Sequence, residues 1–210
     1  MKLFSHSFND GDVIPGKNSF AVYDATSHVR LSDNLNPHFG WSDLPAGTQS
    51  LVLICHDYDV PTSGENVNQE GKVVPASLPR TDFYHWSLFD IPATQQEIAE
   101  GAQSNGITAK GKPGPDAPAG LKHGINDYTA WFAGDEAMGG TYYGYDGPCP
   151  PWNDEIVHHY VFTLYALSAP SLAVEGELTG ANIRRAVENS DVLAKASLTG
   201  LYTLNPDVKI

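Results

Sequence analysis

The sequence predicts a mainly β fold in a single domain, and three observations support this prediction. The 210 residues include 20 Gly and 15 Pro, a composition that favours many turns over long helices. Hydrophobic residues make up 41% of the chain, which is enough for a sizeable core. Short apolar runs recur between turn-forming residues, as is typical of buried strands. We therefore expect one domain over residues 1–210.

Several segments show strand patterns. Leu51–Cys55 is a continuous apolar run bounded by turn-forming residues, so we expect a strand that is buried on both faces. His159–Leu167 has almost no polar face and is predicted as a second buried strand. The remaining predicted strands or extended segments are Ser19–Tyr23, Phe83–Ile91 and Gly200–Leu204.

Helical signals are few. Thr94–Glu97 has the spacing of a capping box, and Gly101 is well placed to end a short helix. The one sustained helical pattern covers Asn182–Leu198, where apolar residues recur at helical spacing. A break within it is expected at Asn189–Asp191.

Two long irregular segments, near residues 62–82 and 103–137, are predicted to be loop insertions. Loops of this length are usually functional or locally ordered. The second region is rich in aromatic residues, which indicates that it is ordered. We interpret the neighbouring pairs Trp131/Phe132 and Tyr142/Tyr143 as packing residues rather than as ligand cages.

Charge and targeting signals narrow the class of protein. The formal net charge of −13 repels the phosphate backbone of nucleic acids, so we expect no nucleic-acid partner. The amino terminus lacks the apolar core of a signal peptide, and no segment is apolar enough to span a bilayer. The two cysteines, Cys55 and Cys149, are expected to be reduced thiols in a cytoplasmic protein.

The segment Asp57–Pro61 directly follows the most apolar run of the chain. Its carboxylates, Asp57 and Asp59, are two residues apart on a predicted strand and should point to the same side, while Pro61 ends the strand. A deep carboxylate needs a partner, and His85 and His158 each stand at the start of another apolar segment. The sequence therefore predicts a site built from Asp, His and Pro at the ends of three strands.

Histidine beside carboxylate is compatible with four kinds of site. It could hold a metal ion, perform acid–base catalysis, bind an anion, or form a purely structural network. The metal signature H-E-x-x-H and the nucleophile turn G-x-S-x-G are both absent. The residues alone leave these alternatives open.

An ordered series of short motifs runs through nearly the whole chain. The motifs are Asn36–Trp41, Leu44–Ser50, Asp57–Pro61, His85–Trp86, Asp90–Pro92, Asn126–Tyr128, Tyr145–Pro151 and His158–Phe162. In this order they resemble the phosphatidylethanolamine-binding protein (PEBP) family, specifically its bacterial Raf kinase inhibitor-like branch. Each motif alone is weak, but the ordered series is highly specific.

The resemblance implies a large central antiparallel sheet packed on a smaller sheet, with short peripheral and C-terminal helices. It also implies a small pocket that accepts phosphate-like anions and phosphorylated head groups. The residues of this chain that match the family's pocket are Asp57, Asp59, Pro61, His85, Asp146, Gly147, Pro148, His158 and Tyr160. The backbone near Gly147 is expected to approach the anion closely, because glycine has no Cβ.

The function implied by the resemblance is reversible, non-enzymatic binding, with His85 and His158 donating to the anion and Asp57 orienting the rings. No catalytic residue, metal or cofactor is expected. One alternative is a hydrolase or metal-dependent enzyme that uses Asp57, His85 and His158. Another is a regulatory protein that inhibits a kinase or protease through its surface, and a homodimer is a further arrangement to consider.

The chain departs from the family pattern at three positions. Tyr58 replaces the usual proline of the aspartate motif. His159 stands where the family commonly has arginine, so a fixed positive charge becomes dependent on pH. Asp191 occupies a place where many relatives have histidine.

Overall fold

The computed structural model describes all 210 residues, and most of its regular structure is β-strand. The strands are β1 Lys2–Phe4, β2 Ala21–Asp24, β3 His28–Leu31, β4 Phe39–Ser42, β5 Ser50–Pro61, β6 Arg80–Pro92, β7 Glu97–Ile98, β8 Lys122–His123, β9 His158–Leu167 and β10 Val192–Tyr202. The helices are α1 Tyr128–Trp131 and α2 Gly180–Glu188, with short 3-10 turns at Gly16–Asn18 and Pro118–Gly120. The predicted mainly β fold class is confirmed.

A five-stranded antiparallel sheet forms the centre of the fold, in the order β10-β9-β5-β6-β8. Strand β5 lies in the middle because it is apolar on both faces. Leu51 and Leu53 face the main core, whereas Val52 and Ile54 face a second cluster that includes α2. The alternation of side chains along a strand produces this division, and it agrees with the expectation for Leu51–Cys55.

A smaller antiparallel sheet, in the order β1-β4-β7, contributes to the main core. Phe39 and Trp41 of β4 are buried there with Trp86 of β6 and Phe162 of β9. The rings of Phe39 and Phe162 lie 4.7 Å apart between centroids. Strands β2 and β3 form a separate two-stranded hairpin.

The helical prediction for Asn182–Leu198 is correct only in its first half. Helix α2 begins after Thr179, whose side chain accepts a hydrogen bond from the backbone of Asn182, and it ends at Glu188. From Val192 onward the chain is strand β10, which pairs with β9 over nearly its whole length. The apolar residues of this segment fit helical or strand spacing, and the free edge of β9 selects the strand.

The short helix predicted from the capping-box spacing of Thr94–Glu97 does not form. The carbonyl of Gln96 accepts a hydrogen bond from the backbone of Trp41 at 3.1 Å, and Ile98 pairs with Phe39. These backbone groups therefore complete the edge of the smaller sheet instead of a helix. Gly101 adopts a φ of +75°, as expected for a turn.

Both predicted insertions contain little regular structure. In the first, residues 62–79 lack strands and helices, but residues 80–82 already belong to β6. The segment 103–137 contains β8, α1 and one 3-10 turn. Cys55 and Cys149 are both free thiols. None of the helices has the length and apolar character needed to cross a membrane.

Candidate functional site

A cavity of about 300 Å³ opens where the end of β5 meets the starts of β6 and β9. Its wall is mostly apolar, with 13 hydrophobic residues among the 22 that line it, and it includes no Lys or Arg. Asp57, His85 and His158 also line it, and we call these three side chains the polar floor. All three are at least 97% buried.

The structure separates the residues predicted for the site into two groups. Those that line the cavity are Asp57, Pro61, His85, His158 and Tyr160. Those that do not are Asp59, Asp146, Gly147 and Pro148. The first group comes from the three strand ends that the sequence indicated, because antiparallel neighbours bring the end of one strand beside the starts of the next.

Strand alternation selects which side chains reach the cavity. Asp57 on β5 stands opposite Tyr160 on β9 and Phe83 on β6. His158 and Tyr160 are buried, whereas His159 between them is partly exposed on the other face. The register of β5 on β6 shifts between Asp57 and Val60, which ends regular pairing at the cavity.

The polar floor is held by a chain of charged side chains. Nδ1 of His158 lies 2.6 Å from Oδ2 of Asp57, and its Nε2 lies 3.1 Å from Oδ2 of Asp154. Arg80 binds the two oxygens of Asp154 at 2.6 and 3.0 Å. The other oxygen of Asp57 accepts a hydrogen bond from the backbone of Asp59 at 2.7 Å.

His158 is an imidazolium at neutral pH. Burial by itself would lower its pKa, but the charges and hydrogen bonds of Asp57 and Asp154 outweigh burial and raise the pKa to about 9. Both ring N–H groups then donate to carboxylates, so the ring has no donor left for a ligand. This corrects the expectation that His158 donates directly to a bound anion.

The cluster around His158 is electrically neutral. Burial raises the pKa of Asp154, but hydrogen bonds from His158 and Arg80 outweigh this effect and lower it overall. Two positive side chains, His158 and Arg80, thus balance the carboxylates of Asp57 and Asp154. The floor therefore presents no net positive charge to the cavity.

His85 differs from His158 because one of its ring nitrogens has no partner within the protein. Nδ1 lies 2.8 Å from the carbonyl oxygen of Asp146, which only accepts, so the neutral ring must donate from Nδ1. Nε2 then carries a lone pair, has no hydrogen-bond partner and is accessible from the cavity. Burial lowers the pKa of His85, although the nearby carboxylate of Asp57 acts in the opposite direction.

Asp146 is a buried structural acceptor. Its two oxygens accept hydrogen bonds from the side chains of Asn34 at 2.8 Å, Asn126 at 2.9 Å and Lys112 at 2.7 Å. Its carbonyl holds His85, as described above. Asp146 therefore acts on the site by orienting His85, and its carboxylate takes no part in the cavity wall.

The segment after Asp146 is packed against another backbone. The N–H of Gly147 donates to the side chain of Asn34 at 2.8 Å, so this donor is already used. A Cβ at Gly147 would collide with the carbonyl oxygen of Asn18. The glycine thus permits close chain packing, which differs from the expected approach of its backbone to an anion. The carbonyl of Pro148 accepts from the backbone of Phe20 at 2.9 Å.

Asp59 and His159 form a separate pair outside the cavity. Oδ2 of Asp59 accepts from the backbone of His159 at 2.9 Å and lies 2.8 Å from its Nδ1. The ring of His159 stacks on Tyr58, with centroids 5.4 Å apart. The expectation that Asp57 and Asp59 face the same side is not met, because the register shift after Asp57 turns Asp59 toward His159.

Several cavity residues were missed by sequence reasoning. Trp131 and Phe132 come from the second irregular region, Met138 directly follows that region, and Val67 comes from the first. The sequence favours packing roles for Trp131 and Phe132, and Phe132 does stack on Tyr128, with centroids 5.6 Å apart. The aromatic content of the insertion was a usable signal, but its position over the cavity required the tertiary structure.

The cavity lacks an activated nucleophile. Cys149 lines it, but burial raises the pKa of this thiol to about 12, so the reactive thiolate is absent at neutral pH. His158 cannot serve as a base toward a ligand, because both of its ring nitrogens are bound to carboxylates. No group of three or more His, Cys, Asp or Glu side chains is arranged to hold a metal ion.

Comparisons with known proteins agree with this architecture. A sequence model described as phosphatidylethanolamine-binding protein matches residues 4–203. The chain belongs to the phosphatidylethanolamine-binding protein family. This result confirms the resemblance found in the ordered motifs.

Two bacterial relatives align over almost the whole chain. A UPF0098 protein of Aquifex aeolicus is 33% identical over 207 residues, covering 96% of this chain and 88% of the relative. The UPF0098 protein YbhB of Escherichia coli is 30% identical, covering 97% of this chain and all of the relative.

Two solved structures have a similar fold. Escherichia coli YbcL, described as a member of the mammalian PEBP family, superimposes with a TM-score of 0.66 at 22% identity, over 96% of this chain and 97% of YbcL. A PEBP homologue from Chlamydia trachomatis gives a TM-score of 0.60 at 26% identity, over 96% of this chain and 95% of the homologue. The strand arrangement described above is thus shared within the PEBP family.

Proposed function

We propose that this protein reversibly binds a small phosphate-like anion, or a phosphorylated head group, at the polar floor, and that it does so without catalysis. The observation that carries the proposal is the free Nε2 of His85, which faces an otherwise mostly apolar cavity. A buried polar atom without a protein partner in such a setting is a natural anchor for a polar ligand group. The family assignment supports a binding protein.

An anion that hydrogen-bonds to Nε2 of His85 must bind together with a proton. The cavity wall has no Lys or Arg, and the charge of His158 is balanced by two carboxylates. A neutral His85 offers a lone pair and would repel a fully ionised phosphate. A hydrogen bond therefore forms only when either Nε2 or a ligand oxygen carries a proton.

Proton uptake is the measurable consequence. The second pKa of a phosphate monoester is about 6, so methyl phosphate is a dianion at pH 8. Binding at that pH should take up about one proton for each ligand bound. Titration calorimetry in two buffers of different ionisation enthalpy measures this number directly.

The matched variants are His85→Ala and His159→Ala. Loss of a hydrogen bond to a charged group should weaken methyl phosphate binding about tenfold to a hundredfold in His85→Ala. The neighbouring His159→Ala should bind like the wild type, because its ring lies outside the cavity. Equal affinities in all three proteins would show that His85 is not the anchor.

The absence of catalysis is tested with the same proteins. Cys149 remains a thiol, His158 has no free nitrogen, and no Ser, Thr or Cys side chain is hydrogen-bonded to the free Nε2 of His85, so we expect no turnover of aryl phosphates or acyl esters. Sustained turnover in the wild type that disappears in His85→Ala would instead establish a hydrolase.

A further inference from the structure

The cavity is larger and more apolar than a bare phosphate requires. Its volume of about 300 Å³ lies at the lower end of the range for pockets that hold small organic molecules. Its Asp and His side chains are the three that form the floor, whereas the rest of the wall is mostly hydrophobic. An inorganic anion at the floor would leave the apolar part unoccupied.

Residues of the two insertions build much of this apolar part. Val67 of the first insertion, Trp131 and Phe132 of the second, and Met138 directly after it line the cavity. We call these four residues the apolar wall. Phe132 is supported from behind by Tyr142, with centroids 5.4 Å apart, so part of this wall is held in place without any ligand.

Trp131 is the distinctive member of the apolar wall. Its side chain lines the cavity, yet the residue is 51% exposed. Most of the large apolar side chains of this chain are buried in the core, so exposed indole surface here is available for a ligand to cover. A ligand that reaches from the floor to Trp131 would remove this surface from water.

We propose that the natural ligand carries, on its anionic group, a compact apolar substituent that lies against the apolar wall. The substituent is an aryl or short alkyl group, because the volume beyond the floor cannot enclose a long chain. This inference rests on the proposed function, since the anionic group is placed at His85. It adds the chemical class of the ligand and assigns specificity to Trp131.

A homologous series of phosphate monoesters tests the proposal by calorimetry. Affinity should rise from methyl to butyl phosphate by about threefold to fourfold for each enclosed CH₂. Phenyl phosphate should bind at least about tenfold more tightly than methyl phosphate. For longer alkyl chains the gain should stop once the cavity is full.

Trp131→Ala and Met138→Ala test the apolar end of the cavity, and His85→Ala tests the anionic end. Each apolar-wall variant should lower the affinity for phenyl phosphate by a larger factor than the affinity for methyl phosphate, because a methyl group covers little of the apolar wall. His85→Ala should weaken both ligands by the same factor. Phe4→Ala is the control, because Phe4 is also an exposed aromatic residue, at 42%, but lies outside the cavity. Circular dichroism checks that each variant is folded.

The possible failures are distinguishable. Equal affinities for methyl, butyl and phenyl phosphate would overturn this inference and leave the proposed function intact. A gain that persists in both Trp131→Ala and Met138→Ala would also overturn it. Phenol, which lacks the phosphate group, tests the anionic anchor. If phenol binds as tightly as phenyl phosphate, the proposed function is wrong.

Discussion

Nδ1 of His158 lies 2.6 Å from Oδ2 of Asp57, and both side chains are almost completely removed from solvent. The pair joins the start of β9 to the end of β5 beneath the cavity. Because Asp154 occupies the other ring nitrogen, His158 serves mainly to hold Asp57 and its neighbours in place. The floor is thus rigidly organised around an ion cluster, and His85 alone keeps a free nitrogen for a ligand.

We expect Asp57→Asn to destabilise the protein by about 3 kcal/mol at pH 7, because it removes one partner of a buried ion pair. Urea denaturation followed by circular dichroism measures the change. Asp59→Asn is the control, because its partner His159 is 39% exposed and such a pair contributes about 1 kcal/mol or less. Equal losses in the two variants would contradict this view of the cluster.

The stability of the protein should fall as pH rises above neutrality. The folded pKa of His158 is raised to about 9, against about 6.5 in an unfolded chain. The contribution of protonated His158 to the stability of the fold is therefore fully present below pH ~6.5 and is lost as the pH rises through about 9. The two values correspond to a loss of about 3 kcal/mol. A His158→Gln variant should lack this pH-dependent loss. If the free energy of unfolding changed with pH equally in both proteins, His158 would not be the group responsible.

His159→Arg should leave both ligand affinity and its pH dependence unchanged. The ring of His159 pairs with Asp59 and stacks on Tyr58, on the face of the sheet that points away from the cavity. If His159 instead contacted the anion, the fixed charge of an arginine there would strengthen binding at pH 8. Calorimetry with methyl phosphate at pH 6 and pH 8 decides between these outcomes, and a shallower pH profile in the variant would show that His159 senses the anion.

Gly147→Ala should destabilise the fold by about 1–3 kcal/mol, since the new Cβ would collide with the backbone of Asn18. Gly64→Ala is the control, because a Cβ there meets no atom within 4 Å. Thermal unfolding should therefore show a lower midpoint for Gly147→Ala alone. An unchanged midpoint in Gly147→Ala would mean that the backbone at Gly147 and the backbone at Asn18 can move apart at no cost.

The sequence by itself determined the fold class, the family and the three strand ends at which the cavity lies. Leu51–Cys55 was recognisable because a central strand covered on both faces must be apolar throughout. The segment Val192–Leu198 was not, because its apolar spacing fits either a helix or a strand. Only the free edge of β9 decided between them.

The tertiary structure alone decided how the side chains of the site are used. Asp57 and His158 are 101 residues apart, and Gly147 and Asn34 are 113 apart, so the sequence does not state that these atoms meet. Hydrogen-bond capacity is finite, and a nitrogen bound to a buried carboxylate is lost to a ligand. For this reason His85 and His158, two equivalent candidates in the sequence, have different roles in the folded protein.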